Sequence, residues 1–368
     1  MPQHTVVADD LALGPQSQWV QVAARIFPEL GTISKAKRAR KAGHLHLNGQ
    51  PWVPTLTCAA VDDILVYYSP EKPTHSAVRN DPKAQSWLQT CRTQGLRLVY
   101  ECDSMAVVVK PVGIHVKGRG KRTVEQALPL LLQSQGVFAD GDFQLPLPHA
   151  VHRLDYRVGG LLLVAKTRKM EVELSAQFER HSVTKQYRAI LVGDVRKTFQ
   201  GFDETSSTLE AIEFPAALQK LRDELQVLSD AIDDRPCLTA VRVVSTTRSA
   251  RYEWISTVDL WPLTGRMHQL RIHTARHGHP IVGDDLYHDM NSVSSGNEPA
   301  VVRGMGLFLF SVGVAFDDLL ANRRSFYIDE PNKFARFRHF CDLNWSKLAA
   351  RHNKDGTKQI RDKSIVLT

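Results

Sequence analysis

Hydrophobic and polar positions along the first 69 residues predict two helices followed by a hairpin. The first helix is indicated by four apolar residues spaced on one helix face, Val20, Ala23, Ala24 and Phe27. A second, basic helix is predicted from Ser34, its expected N-cap, to Gly43, its stop. The segment HLHL then alternates as a strand before an Asn-Gly turn, a strong hairpin signal, and DDILVYY supplies the second strand.

Beyond residue 95 the pattern is dominated by strands bounded by turns and interrupted by single helices. LRLVY and MAVVV predict a strand pair, and helices are expected near 168–181 and over RMHQLRIHTARHG, which Gly278 ends. KQYRAILVG predicts a further strand, and a long hairpin has its tip near Ser249-Ala250. This order favours an α+β domain with a largely antiparallel sheet.

Residues 200–236 interrupt that alternation. Apolar residues repeat there at four-three spacing and, with Pro215 near the start, predict an amphipathic helix: Phe214, Leu218, Leu221, Leu225, Leu228 and Ile232. Packing on the parent domain is the favoured role of this helix, and docking of a partner helix is the alternative.

A proline-rich stretch of low hydrophobicity, SPEKPTHSAVRNDPK, marks a domain boundary. We therefore predict four segments along the chain: a small domain at 1–69, a linker at 70–94, a larger domain at 95–345 with a helical insert at about 200–236, and a basic tail at 346–368.

The composition is that of a soluble globular protein, with 43% hydrophobic and 23% charged residues. No apolar run approaches the roughly 20 residues that cross a bilayer, and the N-terminal residues do not resemble a targeting signal. Five scattered cysteines without a CxxC pair indicate reduced thiols. We expect a cytoplasmic protein without membrane contact, with a nuclear or organellar location left open.

Charge is distributed unevenly around a net value of +8. Residues 31–61 and 105–124 each hold five Lys or Arg and no acid, and residues 260–283 hold three arginines, four histidines and no acid. By contrast, residues 194–234 hold ten acids against four bases. Three acid-free stretches favour a polyanion surface, with nucleic acid as the leading candidate, while solvated helix faces are the alternative.

Asp155 is the candidate for chemistry because it stands between a His-Arg pair and an apolar strand. A nucleophilic carboxylate must be ionised, and burial opposes ionisation unless a fixed cation lies nearby. Arg153 and Arg271 are the candidate cations, although Arg153 could instead point into an RNA strand. From spacing alone, a structural salt bridge remains the favoured role of this carboxylate.

Four segments, taken in order, resemble the RluA family of pseudouridine synthases: LVYECDSMAVVVKPVGIHV, AVHRLDYRVGGLLLVAKT, KQYRAILVG and LTGRMHQLRIHTARHGHPIVGDDLY. They span roughly residues 97–330, and four motifs in register are highly specific. The module in front resembles an S4-like RNA-binding domain. The resemblance implies an α+β pseudouridine synthase catalytic domain with a mostly antiparallel sheet, a central cleft and flanking helices, plus the small S4-like domain.

This resemblance implies an enzyme that isomerises uridines of ribosomal or transfer RNA after flipping the target base into the cleft. Asp155 stands at the position of the essential aspartate, and Tyr187 at that of a tyrosine that stacks on uracil. Arg271 is expected to pair with Asp155 and keep it charged. Neither metal nor cofactor is expected, because the leaving and returning atoms stay within one molecule. RNA is the expected partner, and the chain is expected to act as a monomer.

Nine further residues are expected to contact RNA. The basic helix contributes backbone-phosphate contacts that do not depend on base sequence. The remainder flank Asp155 or belong to the TGRMHQLRIH motif. The nine residues are His152, Arg153, Lys35, Lys37, Arg38, Arg40, Lys41, Arg266 and His268.

Two departures from the family pattern keep other functions in consideration. Val158-Gly159 replaces the usual Thr-Ser pair, and Phe310 stands where a His is common. A non-catalytic RNA-binding or ribosome-assembly protein that keeps the fold is therefore the alternative function. His273 and His277, four residues apart, also suggest a metal site, although no Glu accompanies them in the motif.

Overall fold

The computed structural model describes residues 3–11, 17–50, 52–68, 78–118, 122–133, 144–198, 216–288 and 305–354. The chain divides into two compact units, Met1–Pro73 and Thr74–Thr368. Each unit has its own buried apolar cluster. The two clusters show how a chain of 368 residues builds a small and a large core separately.

The first unit packs two helices on a three-stranded antiparallel sheet of order β1-β3-β2. Its core is formed by apolar residues of the first helix, such as Trp19, by Phe27 directly after that helix, and by Leu45 and Leu65 from the sheet. The elements are β1 (Gln3–Thr5), a 3-10 turn (Ala8–Leu11), α1 (Trp19–Ile26), α2 (Ile33–Lys41), β2 (Leu45–Leu47) and β3 (Ile64–Tyr67).

The basic helix α2 begins two residues earlier than its sequence indicated. Its N-cap is Thr32, whose hydroxyl oxygen accepts a hydrogen bond from the Lys35 amide at 3.2 Å, so the prediction of Ser34 as N-cap is wrong. Ala36 and Ala39 face the core, which leaves the cations of the helix on its outer side. The helix ends before Gly43, which adopts a left-handed backbone with φ of 72°.

The second unit is built on a ten-stranded sheet whose main path runs β4-β5-β7-β12-β8-β11-β10-β9. All of its pairings are antiparallel except the one between β7 and β12, which confirms a largely antiparallel α+β domain. The strands are β4 (Arg97–Glu101), β5 (Met105–Lys110), β6 (Gln144–Ala150), β7 (Gly159–Thr167), β8 (Thr184–Val192), β9 (Gln226–Leu228), β10 (Thr239–Ser249), β11 (Glu253–Pro262), β12 (Leu309–Asp317) and β13 (Arg323–Tyr327).

Helices pack against this sheet at several places. Two of them, α5 and α7, match their predicted positions, and the predicted hairpin tip falls between β10 and β11. The helices are α3 (Pro82–Thr93), α4 (Val124–Leu131), α5 (Arg168–Glu179), α6 (Ala216–Gln219), α7 (Gln269–Arg276) and α8 (Asn332–Lys354), with short 3-10 turns at Val195–Lys197 and Arg222–Glu224.

The predicted amphipathic helix of the 200–236 insert is wrong for its described part. A four-residue helix, a 3-10 turn and strand β9 take its place, because Leu218 and Leu225 each bury against Ala240 and Trp261 of the sheet. Pairing of β9 with β10 supplies the backbone hydrogen bonds that a helix would have made internally. The predicted start at Phe214 and Pro215 lies outside the described residues.

Two predicted boundaries also need correction. The second half of the 70–94 linker is helix α3, which Asp81 caps and Pro82 begins, and which buries Leu88 and Cys91. Proline content therefore marked a helix start here, not only a flexible segment. The predicted tail at 346–368 begins too early, because helix α8 continues to Lys354.

The parallel contact between β7 and β12 is only two residue pairs long, and two glycines make it possible. Gly159 pairs with Phe310, and Gly160 pairs with Ser311. A Cβ atom on Gly159 would lie 2.7 Å from the Phe310 ring, and one on Gly160 would collide with the Ser311 backbone. Gly160 also has a φ of 120°, which L-residues rarely adopt. The Gly at 159 and the Phe at 310, two departures from the family pattern, are therefore complementary in space.

We predict that Gly159→Ala lowers the free energy of unfolding by about 2 kcal/mol, because the added methyl overpacks the Phe310 ring. The double variant Gly159→Ala, Phe310→Leu should regain part of that loss, as measured by urea unfolding. Gly265→Ala, where an added Cβ meets no atom within 4 Å, is the control. Equal destabilisation in the presence and absence of Phe310 would contradict the packing explanation.

Candidate active site

A cleft of about 470 Å³ opens at one end of the central strands of the second unit. The turn before β7, strand β8, the end of β11 and the N-terminal end of α7 form its walls. Its lining residues are Val151, His152, Arg153, Leu154, Asp155, Val158, Phe178, Lys185, Tyr187, Pro262, Thr264, Gly265, Arg266, Met267, His268, Gln269, Leu270, Arg271 and Leu309. Asp155, Tyr187 and Arg271, separated by up to 116 residues in the chain, therefore share one cleft.

Asp155 lies in a tight turn that leads into β7. The Val158 amide donates to the Asp155 carbonyl at 3.1 Å, and this hydrogen bond closes the turn. The carboxylate keeps 29% of its side-chain surface exposed, so a ligand in the cleft can reach it. Among the residues that the structure describes, His268 Nε2, at 3.8 Å, is the only side-chain cation or potential cation within 4.0 Å of this carboxylate.

Arg271 does not pair directly with Asp155, and the predicted ion pair needs correction. Its guanidinium forms two hydrogen bonds of 2.7 Å with the buried carboxylate of Asp284, and it lies 3.6 Å from Asp285. Asp155 still acts on it through space, because Asp155 contributes to raising the pKa of Arg271 against the effect of burial. The nearby Asp284 carboxylate, six residues beyond the helix stop at Gly278, is the stronger partner because it meets the guanidinium in a bidentate geometry.

Tyr187 lies on β8 opposite Ser311 of β12. Burial raises the pKa of its phenol well above the usual value, the charge of Asp155 raises it further, and a hydrogen bond with Ser311 acts in the opposite direction. The phenol therefore stays protonated at neutral pH. In this state its ring is a neutral surface for stacking and its hydroxyl is a hydrogen-bond donor.

Lys110 is a residue of the site that sequence reasoning did not single out. Its ammonium is fully buried and donates to the carbonyls of Pro111 at 2.9 Å and Val158 at 2.7 Å. Burial lowers the pKa of Lys110 to about 7, and Asp155 acts in the opposite direction. Lys110 thereby fixes the end of the Asp155 turn. The signal was present in the Lys-Pro-x-Gly motif, but the motif alone does not say where the ammonium points.

His268 connects Asp155 to the loop that follows α7. Its backbone is left-handed, with φ of 54°, and its Nδ1 lies 2.9 Å from the Tyr287 hydroxyl. The same loop holds the Asp155 turn a second time, because Arg157 forms an ion pair with Asp285. His268 was predicted to contact RNA; in the structure it contacts the candidate catalytic carboxylate.

The other predicted RNA-contacting residues of this unit differ in how exposed their side chains are and in whether they already contact other residues. Arg153 is exposed at the cleft, and Arg266 is half-buried in its wall. His152 is engaged internally: its Nε2 accepts the Leu163 amide at 3.0 Å, and its ring stacks on Phe178 at 4.8 Å. Burial, aided by Lys185, lowers the pKa of His152 to about 3. It is therefore neutral at physiological pH and cannot provide a phosphate contact through charge.

In the first unit, four of the five cations of the basic helix are exposed: Lys35, Lys37, Arg38 and Lys41. Arg40 is the exception. Its Nε donates to the Val53 carbonyl at 2.6 Å and holds the loop that carries Trp52, so its predicted phosphate contact needs correction to a structural role.

The histidines that suggested a metal site serve another purpose. His277 Nε2 lies 2.7 Å from the Asp230 carboxylate, and His273 lies 2.9 Å from the Asp230 carbonyl. Arg276 donates to the carbonyl of Ala231 at 2.6 Å. These contacts attach helix α7 to the acidic insert. Within the described residues no cluster of three or more His, Cys, Asp or Glu could hold a metal ion, and no helix has the length and apolar character needed to cross a membrane.

Comparison with known proteins gives consistent results. A family profile described as RNA pseudouridylate synthase matches residues 104–276. Ribosomal large subunit pseudouridine synthase C from Rickettsia felis is 29% identical over 270 residues, which are 72% of this chain and 79% of that protein. The protein of the same name from Rickettsia conorii is 26% identical over 308 residues, 82% of this chain and 89% of that protein. The solved structure of Human RNA Pseudouridylate Synthase Domain Containing 4 is 19% identical, with a TM-score of 0.46 over 69% of this chain and 94% of that chain.

The matched residues contain Asp155, Tyr187 and Arg271 and all of the cleft lining except Leu309. Residues 104–276 therefore carry a domain of the RNA pseudouridylate synthase family, with the RluA-type motifs that the sequence indicated. Together with the relatives, the matched sequence defines an RNA pseudouridine synthase, an enzyme that isomerises uridine within RNA.

The buried pair of Arg271 and Asp284 gives a prediction with a defined pH window. Burial raises the pKa of Asp284, but the hydrogen bonds and charge of Arg271 outweigh burial and hold the pKa below its ordinary value of 3.8. A depressed carboxyl pKa contributes stability above the unfolded-state value, which is lost as the pH falls through the folded-state value. Asp284→Asn should therefore cost about 3 kcal/mol between pH 5 and 8, and less below about pH 4.

Urea unfolding across this pH range measures the effect, with the exposed Asp103→Asn as the control. A loss that stays constant down to pH 2 would show that the carboxylate charge of Asp284 is not what stabilises the pair.

Proposed function

We propose that this enzyme isomerises specific uridines of large-subunit ribosomal RNA to pseudouridine, with Asp155 as the essential residue. The observation that carries the proposal is the Asp155 carboxylate, partly exposed in a cleft that also holds Tyr187 and Arg271. The ribosomal substrate is supported by the relatives, which are named ribosomal large subunit pseudouridine synthases. Three acid-free stretches of sequence agree with an RNA partner.

The reaction uses the geometry of the cleft in a simple order. A uridine leaves its base stack and enters the cleft, since chemistry at a stacked base requires extrusion. Ionised Asp155 acts on the ribose, either at C1′ or at the C2′ proton, and the bond between C1′ and uracil N1 breaks. The uracil turns and C5 bonds to C1′, while Asp155 releases C1′ or returns the C2′ proton. The C5 proton is lost to solvent, and N1 takes up a proton in its place. The product has the same atoms as the substrate, so the reaction needs no cofactor.

The neighbouring residues surround the Asp155 turn. Arg271 interacts with the Asp155 carboxylate through its charge, His268 Nε2 lies 3.8 Å from it, and Lys110 holds the end of the turn through the Val158 carbonyl. The Tyr187 phenol keeps its proton, and the uracil stacks on its neutral ring. The Arg271–Asp284 pair holds the guanidinium in place and leaves the Asp155 carboxylate with little direct hydrogen bonding that would reduce its reactivity.

The first unit is proposed to bind the RNA as an S4-like module through the exposed cations of α2. Its helix, basic helix and paired strands match the predicted order, and the cations stand on the solvent side. Such contacts add affinity without reading base sequence. We further propose that the enzyme works as a monomer in the cytoplasm, in keeping with a ribosomal RNA substrate.

We predict that the wild-type protein releases tritium from RNA labelled at uridine C5. The Asp155→Asn variant should release it roughly 1000-fold more slowly or slower still, because the amide cannot act on the ribose. Circular dichroism and RNA binding of the variant should be unchanged. Absence of release by the wild-type protein from any cellular RNA pool would instead favour the RNA-binding alternative.

For the first unit, the double variant Lys37→Gln, Arg38→Gln should weaken RNA binding and reduce the slope of log Kd against log salt by about 2, since each lost duplex phosphate contact removes roughly 0.9. The matched control is Lys83→Gln, Arg92→Gln, which removes two exposed cations from helix α3. Equal slopes for both double variants would contradict a phosphate-binding role for α2.

A further inference from the structure

Two cations in the wall of the cleft have no polar side-chain partner, within the part of the chain that the structure describes, to account for their burial. Lys185 lies on β8 two residues before Tyr187, so both side chains leave the same face of the strand. Its ammonium contacts only the Phe178 ring, with Nζ 6.0 Å from the ring centroid. Within the described residues it forms no hydrogen bond or ion pair. Arg266 also lines the cleft. Its buried Nε has no hydrogen-bond partner among the described residues.

Electrostatics indicate that the two cations act on the same region. Burial lowers the pKa of Lys185 to about 8, which is the effect expected for an ammonium without a compensating anion. The pKa of His181 is lowered by burial and then by Lys185 and Arg266 together. Lys185 also lowers the pKa of His152. The positive potential of Lys185 therefore reaches both histidines, and that of Arg266 reaches His181.

A buried charge without a partner is costly, and enzymes retain such a charge where a ligand supplies the missing partner. The missing partner must be an anion, and it must have several acceptor oxygens to satisfy an ammonium and a guanidinium together. An RNA backbone phosphate fulfils both conditions, whereas the neutral uracil and ribose carry no charge.

We infer that Lys185 and Arg266 form a phosphate subsite that holds one backbone phosphate next to the flipped nucleotide. The inference rests on the proposed RNA substrate and adds a positioning role that the chemistry of Asp155 does not require. Strand β8 carries Lys185 and Tyr187 about 7 Å apart, since a strand advances roughly 3.4 Å per residue. With the uracil stacked on Tyr187, the phosphate at Lys185 fixes the ribose between them and so places C1′ beside Asp155.

The experiment uses a synthetic hairpin copied from large-subunit ribosomal RNA, chosen because the wild-type protein binds it. A series of hairpins replaces one phosphate at a time by a neutral methylphosphonate. Lys185→Met should raise Kd and KM about tenfold with a smaller change in kcat, and Lys185→Arg should retain most of the affinity. Lys83→Met, which removes an exposed lysine outside the cleft, is the matched control.

The decisive result is non-additivity. At one linkage, methylphosphonate should weaken binding to the wild-type protein about tenfold and cause no further loss in Lys185→Met or Arg266→Met. Additive losses at every linkage, or a fall in kcat without a rise in Kd, would overturn the phosphate subsite. Because binding is measured separately from turnover, the result can be read even if the hairpin is not isomerised, so failure of the proposed reaction is distinguishable from failure of the subsite.

Discussion

The two-residue parallel contact between β7 and β12 is the interaction on which the active site depends. Among the described strands, it alone joins the β4-β5-β7 half of the sheet to the half that contains β8 and β11. Ser311 pairs with Gly160 on one side and with Tyr187 on the other. The turn of Asp155 therefore reaches the ring of Tyr187 through one intervening residue. A side chain at Gly160 would push the two halves apart and widen the distance between these residues.

The charged groups of the cleft have separate roles: Asp284 binds the Arg271 guanidinium, and Asp155 remains available to a ligand. The Arg271 guanidinium forms its bidentate pair with Asp284 and not with the reacting carboxylate of Asp155. This pair holds Arg271 where it still interacts with the charge of Asp155. Asp155 keeps a solvent-accessible face and a distant histidine contact. An aspartate in a bidentate pair with arginine would be ionised but poorly available. Without such a pair, the Asp155 carboxylate stays accessible to a ligand in the cleft.

Sequence reasoning predicted the strands and helices that have strong local signals, and it found the three residues that share the cleft because they lie in dense motifs. It failed where tertiary contacts decide the outcome. The spacing of Leu218 and Leu225 fits a helix, but both leucines join one buried cluster with Ala240 of β10 and Trp261 of β11, and the backbone breaks into short pieces. The pairing of Arg271 could not be predicted either, because Asp155 and Asp284 are equally plausible partners until the loop after α7 is placed. Lys110 and Lys185 could not be singled out for a shared reason. Both owe their importance to burial, which a single sequence does not reveal.

The acidic insert has a consequence for how this enzyme can change. Asp230 and Ala231 of the insert bind His273, Arg276 and His277 at the C-terminal end of α7, the helix whose first turn carries Arg271 into the cleft. Substitutions far from the RNA can thus shift the helix by small amounts and alter catalysis indirectly. The insert is therefore an element through which the position of α7 can be adjusted while the reacting groups stay unchanged.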